Sequence, residues 1–149
     1  MFWVYIWLQL FFCNQNSVVI ELLFRDESLT GSVFHEIKVP VDRTTLTVRD
    51  IITARVTSEV TDYNRRLPSV FRELVRPSDA EDVLDGYRLR QKDRPIDAEQ
   101  QTYVALDAFR KRAFILLVDD RQVDDLEEIV PLQSDTSVSF VRLTPLIGG

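Results

Sequence analysis

The residue pattern predicts an α+β domain in two layers, with one helix lying across one face of a mixed sheet. Three observations predict it. Two alternating apolar segments, 18–24 and 34–41, flank a polar stretch that holds Gly31. An amphipathic segment with a strong start signal follows at Thr47. Two more apolar runs, 114–118 and 138–143, lie near the end of the chain. At 149 residues the chain has room for one domain with one sizeable insertion.

Val18, Ile20, Leu22 and Phe24 share one face of the first expected strand. Residues 25–32 are polar and make a hairpin turn of moderate length. In the second strand Ile37, Val39 and Val41 alternate with Glu36, Lys38 and Pro40. Pro40 has no N–H to give to a ladder, so its nitrogen should face solvent. Thr47 can cap a helix, with Asp50 in the place of the usual capping-box Glu. Leu46 and Ile51 are placed for a hydrophobic staple across that cap. Val48, Ile51, Ile52, Val56, Val60 and Tyr63 then recur at spacings of three and four, which predicts a helix to about Arg66, before Leu67-Pro68.

Residues 68–112 read as a polar, helix-prone insertion. One helix is expected from Asp79 to about Leu84 and a longer one from Ala98 to Arg112, where Gln101, Val104, Ala105, Ala108 and Phe109 share a face. Arg88, Arg90, Lys92 and Arg94 form a basic run between them, either a solvated loop or a docking patch for an acidic partner. In the third strand, 114–118, Phe114, Leu116 and Val118 should face the core, with Ile115 and Leu117 on the other side. Asp119, Asp120, Asp124, Asp125, Glu127 and Glu128 follow without the spacing or central Gly of a Ca²⁺ loop, so a solvated loop is expected. The last strand, 138–143, should point Val138 and Phe140 inward and Val141 outward.

Composition narrows the function. A net charge of −6 speaks against a nucleic-acid binder held by phosphate neutralisation. Cys13 is the one cysteine and His35 the one histidine, so no intrachain disulfide and no cysteine-based metal site can form. A glycine-rich phosphate loop, a nucleophile elbow and a zinc-ligand pair are all missing from the sequence. No catalysis of its own, no cofactor and no metal are therefore expected. Lysine is confined to Lys38, Lys92 and Lys111, which leaves few amines to be modified.

The first thirteen residues are almost wholly apolar, short of the roughly 20 a bilayer span needs. They lack the basic flank and small-residue cleavage site of a signal peptide. A short anchor, a start upstream of the true one and an extra element on the core all stay open. Residues 1–16 are left as a segment of unassigned role, and the domain is read as 17–149.

At the other end the sequence stops on Leu146-Ile147-Gly148-Gly149. Without Cβ atoms, two extended glycines fit a channel too narrow for side chains, which suits a carboxyl that is to be activated and transferred. A disordered terminus that happens to end in glycine is the plainer alternative.

This order of strand, hairpin, strand, capped helix, strand, acidic loop, strand and Gly-Gly resembles the ubiquitin-like β-grasp modifiers. Leu29-Thr30-Gly31 stands in the first hairpin, where those proteins carry Leu-Thr-Gly. Thr47-Val48 opens the helix in the same way. Residues 114–125 track their third strand and the loop after it, Leu126 and Ile129 fit their short turn, and 137–143 fit their last strand. The resemblance covers roughly 17–67 and 113–149, with the helical insertion between the main helix and the third strand as a departure. The tail Thr-Pro-Leu-Ile-Gly-Gly departs too, being apolar where the family's is arginine-rich.

The resemblance implies a modifier whose Gly149 carboxylate, reached through Gly148, is adenylated by an E1-like enzyme. An E2-like enzyme then carries it as a thioester to a target amine, and a JAB-type peptidase removes it. The apolar tail points to a divergent bacterial conjugation system in the cytoplasm, with neither nucleic acid nor membrane as partner. Ile115, Leu117 and Val141, with Leu146 and Ile147 of the tail, are the expected partner-binding residues, the first three either an exposed apolar patch or a surface that the inserted helices cover. A sulfur carrier with a terminal thiocarboxylate, and an interaction module that is never conjugated, are the alternatives.

Overall fold

The computed structural model describes residues 19–68, 74–78, 80–83, 86–89 and 94–143. Val18, the apolar N-terminal segment and the tail from Thr144 to Gly149 lie outside the described residues. The elements are β1 (Ile20–Glu27), β2 (Val33–Val41), β3 (Thr45–Thr47), α1 (Val48–Arg66), β4 (Ala80–Val83), β5 (Gly86–Leu89), α2 (Ala98–Arg110), β6 (Phe114–Val118), β7 (Arg121–Val123), β8 (Ile129–Pro131) and β9 (Ser137–Arg142).

The chain is a mixed α+β domain. Five strands form one sheet in the order β2-β1-β9-β6-β7. β1 and β9 run parallel at its centre, and every other pair in it is antiparallel. Ile20, Leu22 and Phe24 of β1, with Leu116, Val118, Val138 and Phe140, are buried on one face against Val48, Ile51, Ile52, Val56 and Val60 of α1. Phe24 meets Phe140 edge-on at 5.7 Å, and Phe114 bridges Phe140 and Phe109 at 5.9 and 5.8 Å. These offset ring pairs add to area burial and carry the core from the sheet into α2.

The start of α1 follows the expectation closely. Thr47 accepts from the Asp50 amide at 3.1 Å, and the Asp50 carboxylate accepts from the Thr47 amide at 3.1 Å, a reciprocal capping box. Val48 and Arg49 donate their amides to the Glu128 and Leu126 carbonyls, so two more free donors of the first turn are satisfied by the segment before β8. Leu67, at φ 44°, ends α1 in the left-handed region.

Four expectations are corrected. The acidic stretch 79–84 does not supply a helix: its described part is β4, paired with β5, and Ala80 and Leu89 face each other in register, both buried. Burial of that pair outweighs the helix preference of Ala and Glu in so short a piece. α2 stops at Arg110, because Arg112 turns left-handed at φ 56°. Its amide donates to the Phe109 carbonyl and that of Ala113 to the Ala108 carbonyl, the double bond of a Schellman ending. Part of the expected acidic loop is β7. Asp119 and Asp120, at φ 47° and 65°, make the two-residue turn with both φ positive that suits a twisted hairpin. Finally, β1 runs three residues past Phe24, through an irregularity between Asp26 and Glu27. The pairing of β3 with β8 was not anticipated.

Candidate interaction surface and the root of the tail

Four strands build the part of the sheet face that points away from α1. Registers run across it in rows. Val33 of β2 faces Glu27 of β1, Glu27 faces Val141 of β9, and Val141 faces Ile115 of β6. The next row is Glu36, Arg25, Ser139 and Leu117. Ser139 donates its hydroxyl to Glu27 Oε1 at 2.5 Å, which places a half-buried carboxylate amid the apolar row. Arg25 pairs with Glu36 at 3.1 Å beside it.

The three residues expected as an exposed patch do come together on this face, but not equally in solvent. Ile115 and Leu117 are half-buried, whereas Val141 is only 7% exposed. An outward side chain on a strand between two others is walled by its neighbours on both sides, and the expectation of exposure is corrected for Val141. Three of the exposed apolar residues sit instead at the β1–β2 hairpin: Leu29, Val33 and Phe34, at 61%, 45% and 59%. Leu29 falls in a segment that sequence reading treats as a polar turn. The signal that could have found it is its place at the tip of a hairpin whose own bonds, Ser28 with Ser32 and Gly31 with Ser28, already close the turn.

Leu143, the last described residue, lies at the same end of the sheet. Leu143 donates its amide to the Ala113 carbonyl at 3.3 Å, one step past the Phe114–Arg142 pair. Here β7 pairs only with Leu116–Val118, so the first half of β6 keeps an unpaired edge among the described residues. A cavity of about 350 Å³ opens beside it, lined by Phe109, Arg110, Arg112, Ile115, Asp124 and Leu143. Leu146, Ile147, Gly148 and Gly149 lie outside the described residues.

Other charged groups are engaged locally. Arg55 is fully buried, with Asp26 Oδ2 at 2.8 Å and Glu59 as its second carboxylate partner. Its guanidinium lies over the rings of Phe140 and Phe24, at 5.1 and 6.0 Å. Burial opposes its charge, but Glu59 and then Asp26 outweigh that, so its pKa is raised. Glu59 also accepts from the Leu74 amide at 3.3 Å, and Gln101 donates to the Val75 carbonyl at 2.8 Å. Asn64 makes a two-way pair with the backbone of Ile96, at 2.8 Å each way. The Glu59 and Asn64 bonds fasten the insertion to α1, and the Gln101 bond ties two parts of the insertion together.

The acidic residues after β6 lie in the turns on either side of β7, and most of them are bonded to neighbouring groups. Asp119 accepts from the Ser137 amide, Asp124 from Gln122 and Asp125 from the Glu127 amide, while Glu127 and Glu128 pair with Arg49 and Arg121. Among the described residues no group of three metal-ligating side chains is placed to hold a metal. Of the basic run, Arg88 is exposed on β5 and Arg94 is exposed before α2, while Arg90 and Lys92 lie outside the described residues. His35 is exposed on β2. Among the described residues no helix is long and apolar enough to cross a membrane. Comparison with models of known protein families, with curated proteins and with solved structures gives no match.

Proposed function

We propose that the chain is a ubiquitin-like modifier of the β-grasp type, carrying an insertion with a β-hairpin and a helix between its main helix and the strand β6. The observation that carries this reading is the strand order β2-β1-β9-β6-β7, with parallel β1 and β9 at its centre and one capped helix across a single face. Gly148-Gly149 follows the central strand β9 in sequence. That arrangement supports a reading in which the diglycine is the handle of a folded body.

The chemistry is group transfer through the Gly149 carboxyl. An E1-like enzyme joins it to AMP and releases pyrophosphate from ATP. A cysteine thiolate of that enzyme displaces AMP to form a thioester, which passes to a cysteine of an E2-like enzyme. A target amine then displaces the thiolate, leaving an amide that a JAB-type peptidase can hydrolyse. The modifier itself supplies no acid or base. Its part is access at Gly148 and Gly149, stiffness at Pro145, and a surface around Leu117, Ile115 and the Leu29–Phe34 hairpin for the partners to grip. A bacterial cytoplasm, with its ATP, suits this chemistry.

The test is incubation of the full chain with its E1-like enzyme and ATP. A thiol-sensitive adduct is expected, followed by a lysine-linked product once the E2-like enzyme is added. A chain lacking Gly148-Gly149 should form neither. Adducts that survive this deletion would overturn the proposal. Exchange of one terminal oxygen for sulfur, without an amide product, would assign the chain to sulfur transfer instead.

A further inference from the structure

β2 is a nine-residue strand at the edge of the sheet, and among the described residues nothing pairs with its outer side. A groove of about 780 Å³ runs between it and α1, lined by Ile37 and Val39 from the strand and by Ala54, Ser58, Thr61 and Arg65 from the helix. Ala54, Thr57, Ser58 and Thr61 are short, which leaves room for another backbone beside the strand. A long unpaired edge beside an open groove is an acceptor for a further strand.

The pattern along β2 says which strand fits. We infer that β2 pairs antiparallel with β2 of a second copy of this chain, about a two-fold axis at Ile37. Residues equally far from a two-fold axis face each other. This register therefore sets Glu36 opposite Lys38 twice, once on each side of the axis, and Pro40, which has no N–H to give, ends the ladder beyond them. Opposite charges directly across a strand pair stabilise it, and like charges oppose it. On the outer face the seam continues an alternation already present, since Glu36 holds Arg25 at 3.1 Å and Lys38 lies 3.9 Å from Glu21. A shift that faces Glu36 with Glu36, or Lys38 with Lys38, puts like charges together, so charge selects the register. β1 separates this seam from β9, and pairing there leaves the β6–β9 face and the root of the tail open.

Sedimentation equilibrium of the full chain tests the pairing. The wild type should dimerise. Glu36→Lys and Lys38→Glu should each weaken the dimer by about tenfold or more, because each creates two like-charge contacts. Mixing the two variants should restore association as a heterodimer, since each like-charged strand then meets its opposite. Glu36→Lys also removes the Arg25 pair, so thermal melts accompany each variant. As an arm independent of those folds, Ile37→Cys in a Cys13→Ser chain should crosslink to its own copy on oxidation, and Val33→Cys should not. A monomeric wild type, a dimer indifferent to either charge reversal, folded variants that fail to associate on mixing, or equal crosslinking at both positions would overturn the inference. Binding of a foreign extended peptide by a monomeric chain would assign the groove to another partner and overturn it equally.

Discussion

Arg55 of α1 reaches Asp26 of β1 at 2.8 Å, through a core otherwise filled by Phe24, Phe140, Ile51 and Ile52. The pair fixes how the helix is rotated on the sheet, because one guanidinium must meet a carboxylate on the strand and Glu59 on its own helix together. Such a cluster is costly to break from one side. Asp26 Oδ1 and Arg55 Nη1 already have no hydrogen-bond partner among the described residues. Arg55→Ala leaves two buried carboxylates without their cation, and a loss of about 3–5 kcal/mol is expected in urea unfolding. Replacing Arg55, Asp26 and Glu59 together by apolar residues of similar volume should cost far less.

The pH response of this group has a definite sign. Arg55 has a raised pKa in the folded chain, so its contribution is complete below the unfolded value and is lost only as pH climbs through the folded one. Both values lie beyond mild alkali. Urea midpoints measured between about pH 7 and 10 should therefore carry no contribution from Arg55 titration.

How much was legible in the chain depended on whether the signal was local. Thr47 and Asp50 stand three apart and make their own two bonds, so the start of α1 could be read directly. The five-residue apolar run of β6 was equally plain. β7 was hidden because Asp119-Asp120 carries the turn in place of the usual Asn-Gly. β4 and β5 were hidden because only mutual pairing, and burial of Ala80 and Leu89, defines them. The Arg55 cluster did leave a trace. Arg55 and Glu59 fall on the apolar stripe itself, between Ile52, Val56 and Val60, where a charge must find a buried partner. Its partner Asp26 is 29 residues away, and no pattern within the helix points to it. The expected patch gathered in space, but burial of Val141 depends on the strands either side of it, which spacing does not report.

Arg112 tests how α2 ends. It occupies the left-handed position of the Schellman ending at φ 56°, where any Cβ is crowded. Relief of that strain by glycine is worth about 1–2 kcal/mol, against about 0.5–1 kcal/mol for the added freedom of the unfolded chain. Arg112→Gly should therefore raise stability by about 0.5–1 kcal/mol, or roughly 2–3 °C in Tm. Arg112→Ala removes the same charge and keeps the strain. It should leave Tm near the wild-type value, so that a rise seen with both variants would put the effect on charge rather than backbone.

Val141 and Phe34 separate folding from recognition on one sheet face. Val141 is 7% exposed and Phe34 59% exposed, although both lie toward the hairpin end of the sheet. Val141→Ala should lower stability by about 1.5–3 kcal/mol, as truncation of a buried side chain does. Phe34→Ser should stay within about 0.5 kcal/mol of wild type, as an exposed substitution does. If the hairpin is gripped by an activating enzyme, loss of the Phe34 ring should nevertheless slow thioester formation about fivefold or more, the effect of removing one anchor worth about 1 kcal/mol. An unchanged thioester rate with Phe34→Ser, Leu29→Ser and Leu117→Ser alike would mean that partners read some other face. Because Phe34→Ser spares the core, a slowed rate there cannot be charged to unfolding, whereas the same loss with Val141→Ala could be.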